Sequence, residues 1–263
     1  MRVWSIVLAL LLPPASVAAD QAADLVAEGG CPRCDLMSAS LRGISVEGAD
    51  LSGAILREAD LKEARLAGAD FRRADLRRAE MEHAAIPGAS LAGANAAGID
   101  LEKAIADGAS FAGADLRRSD FNEASVRDAS FEKADLRGAL FRRVIAERAD
   151  FTGAQMDDID LERARLGHAV FRGADLERAD LDRAEAAGAS FASAKLAGAS
   201  LASANLSGAD LSGADLSNAR LRRTNLAGAI LADAKGLQQR QLDLACGDAG
   251  TRLPRGLTIP TCQ

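Results

Sequence analysis

One bulky apolar residue recurs every fifth position along this 263-residue chain, and a small residue stands two places before it. From Leu36 to Leu231 the bulky position occurs forty times in one register; thirty-six of these are Leu, Phe, Met, Ile or Val, and the others are Ala96, Ala106, Ala146 and Ala186. The small position is Ala in thirty-four of forty cases, with Ile44, Ile99, Ser119, Val144, Ile159 and Thr224 as the exceptions. All eight Phe occupy the bulky position, and seventeen of the twenty-four Gly lie two residues after it. A period of five fits neither an amphipathic helix nor a flat strand. Fixed-period self-similarity predicts a solenoid, in which each coil buries its apolar residues only against its neighbours.

The unit, seen in Ala204-Asn205-Leu206-Ser207-Gly208, resembles the A-(D/N)-L-x-x motif of the pentapeptide repeat family over Leu36 to Ala234. The resemblance implies an all-β fold: a right-handed quadrilateral parallel β-helix with four units per coil. The small and bulky side chains would point inward and the other three positions outward. Twenty residues per coil gives about ten coils, a rod of roughly 50 Å at strand spacing.

Stacking at this spacing sorts the bulky residues into ladders. One reads Leu51, Phe71, Leu91, Phe111, Phe131, Phe151, Phe171, Phe191, so its rings are expected to pack offset. The neighbouring ladder holds Ala106, Ala146 and Ala186, each five residues before a Phe, which predicts volume compensation between them. Phe71, Phe111, Phe131, Phe151, Phe171 and Phe191 are therefore the expected structural core.

The termini differ from the repeat. Residues 1–19 carry Arg2, an apolar run from Val3 to Leu12 and the small residues Val17-Ala18-Ala19, the pattern of a secretory signal peptide cleaved after Ala18 or Ala19. Residues 20–35 read as an N-terminal cap, with helical spacing at Ala23, Leu25 and Val26 and a stop at Gly29-Gly30. Residues 36–235 are the β-helix, and 236–263 a C-terminal cap. In that cap Leu237, Leu242 and Leu244 are expected on a short helix covering the last coil.

An exported chain with four Cys favours disulfides. Cys31 and Cys34 lie just before the first coil and Cys246 and Cys262 after the last, so the rod's length allows only Cys31–Cys34 and Cys246–Cys262. The same distance excludes a zinc held by all four. Cys31-Pro-Arg-Cys34 has redox spacing, but no βαβ pattern surrounds it, and a structural clip is the better reading.

A rod filled with Ala, Leu and Phe leaves no room for a catalytic pocket, and no cofactor is implied. His83 and His168 fall four coils apart on outward positions. Aspartates ahead of the bulky residue, such as Asp70, Asp75, Asp210 and Asp215, are expected to face water and satisfy turns. On the sides through Leu36 and Leu41, 26 of the 40 positions following the bulky residue are charged; on the other two sides 12 of 40 are, so those flatter faces suit a partner or a second rod. Without residues 1–19 the formal charge is −7, which with no basic stripe argues against nucleic-acid binding. The expected function is an exported, non-catalytic scaffold for a protein partner, periplasmic or secreted, as monomer or dimer. The alternative is a DNA mimic that binds DNA gyrase or topoisomerase, as some members of the resembled family do. Arginine doublets such as Arg117-Arg118, Arg142-Arg143 and Arg222-Arg223 interrupt the acidic surface that this would require.

Overall fold

A computed structural model describes residues 25–262. The predicted signal peptide and the start of the N-terminal cap lie outside the described residues. From Gly30 to Lys235 the chain bridges itself in parallel, each bridge joining residues twenty apart: Gly30 to Asp50, Asp50 to Asp70, and onward without a gap. Four five-residue units therefore make one lap. The sides are called 1 to 4, running through Leu36, Leu41, Val46 and Leu51. Each unit spends two residues on a turn and one on a bridge, so the bridges are isolated and no side is a conventional strand.

The unit from Leu51 shows why the period is five. Leu51 and Gly53 donate to Asp70 O and Arg72 O on the following lap (2.8 and 2.9 Å), and Ile55 N donates back to Cys34 O (2.8 Å). Ala54 N closes the turn on Leu51 O (3.1 Å). The fifth N–H, on Ser52, has no lap partner, and Asp50 Oδ1 accepts it at 3.0 Å. Every backbone donor of the unit is thus used, three across laps and two locally. The acidic or amide residue before the bulky one is the local acceptor, and Asp70, Asp210, Asp215 and Asn225 do the same for the N–H two residues on. The turn places the residue after Ser52's position in left-handed backbone. All 41 such positions from Arg33 to Asp233 have φ between +53° and +71°, and 17 of them are Gly. This explains the glycine sorting in the sequence, because only Gly adopts that region without cost.

The small and bulky positions form one continuous buried cluster, and all eight Phe are fully buried. Phe111, Phe131, Phe151, Phe171 and Phe191 stack at 4.7, 4.8, 4.8 and 4.7 Å between ring centroids, within 6° of parallel. Phe71 stands two laps away behind Leu91, outside this stack. Phe121 and Phe141 arrive from the opposite side and meet the stack edge-on, at 5.5 Å to Phe111 and 5.8 Å to Phe131 in the case of Phe121. The core is a herringbone across the rod rather than a single ladder. Thr224 in a small position donates its hydroxyl to Leu201 O (2.7 Å), whereas the buried Ser119 hydroxyl has no partner.

The ends depart from the expectation in instructive ways. The repeat begins one unit earlier than Leu36: Cys31 N and Arg33 N donate to Asp50 O and Ser52 O (2.7 and 2.9 Å), as in any other unit. Cys31 therefore fills a bulky position and Cys34 a small one, inside the first lap rather than before it. Their Cα atoms are 5.5 Å apart, and those of Cys246 and Cys262 are 4.7 Å apart, both within reach of a bridge. Residues 25–28 are helical, with Leu25 buried but Val26 exposed, so only one of the two apolar residues covers the first lap.

At the other end the helix is a single turn, Gln239–Leu242. Leu242 is buried and Leu237 partly so, but Leu244 is exposed; its carbonyl turns in to accept from Arg223 N. The residue that caps the core is Gln241. Its amide donates to Leu216 O and Ala219 O (2.9 and 2.8 Å), replacing the lap that is no longer there.

Two outcomes test this packing. Ala146 sits fully buried five residues before Phe151. If Phe151 fills the space it leaves, Ala146→Leu should overpack and destabilise by about 1–3 kcal/mol; a gain in urea midpoint would show an empty hole instead. Ser119→Ala removes an unpaired buried hydroxyl and should stabilise by roughly 1 kcal/mol, while Thr224→Ala should cost about as much. Denaturant midpoints at unchanged slope would read both, and the same sign for the pair would contradict the hydrogen-bond assignment.

Candidate interaction surface

The outward positions carry the chemistry, and the lap spacing decides who meets whom. Two kinds of ion pair recur. Within a unit, Arg77 forks onto Asp75 two residues back, Nε to Oδ1 at 2.7 Å and Nη2 to Oδ2 at 2.6 Å. Arg117 and Arg137 fork onto Asp115 and Asp135 in the same way. Between laps, Arg148 and Arg178 fork onto Asp128 and Asp158, each twenty residues earlier. Lys62 reaches both Glu80 and Glu82, at 3.1 and 2.7 Å. Such exposed pairs contribute about 0–1 kcal/mol each. Their larger effect is to tie the side chains down and leave a surface of alternating sign.

The electrostatics follow this pairing. Hydrogen bonds from Arg77 hold the Asp75 carboxyl below the usual range, and Arg117 does so for Asp115. Side 2 behaves differently. There the residues before the bulky position stack as a column of acids: Asp60, Glu80, Asp100, Asp120, then Asp160 and Asp180, each bridged to its neighbour one lap on within each run. Partial burial, followed by the neighbouring Asp182, Asp160 and Glu162, pushes the Asp180 carboxyl up. Burial does the same at Asp100, with Glu82 adding to it.

His83 and His168 are both exposed, in left-handed backbone, on sides 2 and 3. The His168 ring lies over Gly188 one lap on, where an added Cβ would stand 2.7 Å from Nδ1. That contact accounts for a glycine at 188 without any ligand. Among the described residues no cluster of His, Cys, Asp or Glu has the geometry to hold a metal ion. No helix among them is long and apolar enough to cross a membrane.

The clefts that exist are open and lie on the outside. One runs along side 2 among Glu102, Asn122, Glu123, Arg142, Glu162 and Arg163. A second, between Arg78, Arg117, Arg118 and Arg137, opens where Ala97-Gly98 interrupts a column of arginines on side 1. A third lies beneath the C-terminal helix and includes Arg220, Arg222 and Arg240. The arginine clusters were visible in the sequence only as doublets, because their grouping depends on residues twenty apart.

The raised Asp180 gives a pH test. Its charged form costs stability in the folded state, fully so above the raised folded value and not at all below the ordinary carboxylate value of about 4. Asp180→Asn should therefore stabilise the rod by roughly 0.5 kcal/mol at neutral pH, by removing a partly buried charge from a like-charged column. The gain should vanish as pH falls below about 4. A gain that persists in acid would assign the effect to something other than charge.

Between residues 34 and 235 the chain matches the family model described as pentapeptide repeats, in 8 copies spanning 34–69, 54–91, 88–122, 124–163, 159–198 and 204–235. No curated protein matches the chain. Among solved structures similar to it is HetL, a pentapeptide repeat protein involved in heterocyst differentiation regulation from the cyanobacterium Nostoc. The two share 29% identity over 87% of this chain and 96% of that one, with a TM-score of 0.39. Trypsin-treated QnrB1, a plasmid-mediated fluoroquinolone resistance protein, is 23% identical over 73% and 89%, with a TM-score of 0.47. A pentapeptide repeat protein of the Arabidopsis thaliana thylakoid lumen is 30% identical over 46% and 70%, with a TM-score of 0.29. On the repeat that fills these residues, and on the lap register that it builds, the chain belongs to the pentapeptide repeat family.

Proposed function

We propose that this protein is an exported, non-catalytic scaffold that binds a protein partner along the outside of its rod. The observation that carries the reading is the filled interior: both inward positions of nearly every unit are buried apolar side chains, so recognition is left to the three outward ones. A right-handed rod of about ten laps would present those positions in fixed columns roughly 4.8 Å apart. Rigid spacing of this kind lowers the ordering cost of binding.

Export rests on the signal-like residues 1–19, after which cap, β-helix and cap follow at 20–30, 31–235 and 236–263. In an oxidising compartment the two cysteine pairs would be disulfides, Cys31–Cys34 within the first lap and Cys246–Cys262 across the tail. The second would close a loop of sequence separation 16, worth about 3 kcal/mol in the chain-entropy model. The DNA-mimic alternative gains nothing from side 2, where Lys62, Arg142 and Arg183 sit among the acids and pair with them.

Tagged full-length chain, fractionated and then used for affinity capture, tests the proposal. The expected outcome is a mature form lacking residues 1–19 outside the cytoplasm, with one protein retained saturably. Retention in the cytoplasm together with capture of a topoisomerase would overturn it.

A further inference from the structure

The last lap is continued by backbone on three of its sides. Leu216 N donates to Lys235 O on side 1 (2.8 Å), Leu226 N to Cys246 O on side 3 (2.7 Å) and Leu231 N to Arg252 O on side 4 (2.7 Å). Side 2 keeps one such bond, Arg223 N to Leu244 O (2.6 Å), and lacks the other. Its ladder stops at Arg220, which bridges Ser200 below and nothing above. One lap earlier Leu201 N donates to Arg220 O (2.9 Å); the same rule would give Leu221 N the carbonyl of residue 240. The chain has by then turned into Gln239–Leu242, and among the described residues no acceptor meets Leu221 N.

A cleft of about 610 Å³ lies at this place. Ala202, Ala219 and Leu221 supply an apolar floor, and Leu244, 57% exposed, an apolar edge. The rim is basic. Arg220, Arg222 and Arg240 line it, all exposed, and none of the three forms an ion pair among the described residues. Arg77, Arg117 and Arg148, by contrast, each fork onto a carboxylate. The nearest acid in the lining, Asp182, already accepts at Oδ1 from the Ser200 hydroxyl and from Ala202 N, the latter at 3.0 Å. An unpaired N–H at the end of a ladder of bridges can donate to an added extended segment. Unpaired guanidinium groups favour carboxylates.

We propose that this cleft binds an extended, acidic peptide segment of the partner protein. A carbonyl of the peptide accepts from Leu221 N–H and supplies the missing rung. Alternate side chains of an extended chain face opposite ways, so carboxylates can reach Arg220, Arg222 and Arg240 while apolar residues between them lie against Ala202 and Leu244. The inference rests on the scaffold reading and adds the chemistry of the partner.

The test is fluorescence anisotropy with the full mature chain and a labelled, acetylated ten-residue peptide alternating leucine and glutamate. Saturable binding is expected, with slower hydrogen exchange at the Leu221 amide. The double variant Arg222→Glu/Arg240→Glu should weaken it by tenfold or more, since about 1.4 kcal/mol is a factor of ten. The milder Arg222→Gln should fall between, and Arg118→Glu, on side 1, should leave binding unchanged. Circular dichroism melts check that each variant folds. No saturable binding, equal binding by the double variant, or binding of laurate but not the peptide would overturn the proposal. A captured partner that holds the double variant undiminished would overturn the cleft and leave the scaffold standing. Peptide binding at the cleft with no partner captured anywhere would do the reverse to the scaffold.

Discussion

Each backbone N–H in a five-residue unit has one place to go, and three of the five places are a lap away. That requirement sets the register at twenty residues and leaves no freedom to slip. Slipping by one residue would turn Leu51 outward and Asp50 inward, and would break all the lap bonds of that unit together. Burial of Ala and Leu stabilises the rod, but the hydrogen-bond register decides which Ala lies above which Leu.

The surface inherits the same register. Arg148 meets Asp128, and Arg178 meets Asp158, because they occupy one column at consecutive laps. The acidic column of side 2 and the arginine cluster of side 1 exist for the same reason. A small outward residue becomes a notch when charged side chains flank it above and below, as Ala97-Gly98 does between Arg78 and Arg117. Recognition on such a rod is therefore written in every twentieth residue. The C-terminal end adds one irregularity, since a helical turn replaces the backbone rung that Leu221 N would use on side 2 and its Gln241 amide donates to the Leu216 and Ala219 carbonyls instead.

Much of this was legible in the sequence. The inward columns, the glycine positions, the Phe111-to-Phe191 stack and the role of the aspartates all follow from a period of five and a lap of four. What was missed lies where the period carries no signal. Cys31 and Cys34 fill a bulky and a small position without resembling Leu and Ala, so the first unit was not recognised. Phe121 and Phe141 stand at the bulky position like the other Phe, but their edge-on contact crosses the rod, and a ladder does not show what faces it. Leu244 was expected to cover the core because it is apolar. Its carbonyl rather than its side chain is what the open lap needed, and Gln241 supplies the cover because unsatisfied carbonyls need a donor.

The most direct measurement compares two internal deletions. Removing residues 101–120 takes out one full lap and joins Asp100 to Phe121, so every column above should fall back onto its own. Removing residues 101–121 leaves a unit of four residues at the junction, so the laps that meet there cannot keep the twenty-residue register across it. The first chain should melt cooperatively and keep slow amide exchange on both sides of the junction; the second should lose protection in the laps that meet at the junction. Equal protection in the two chains would contradict a register held by hydrogen bonds between laps.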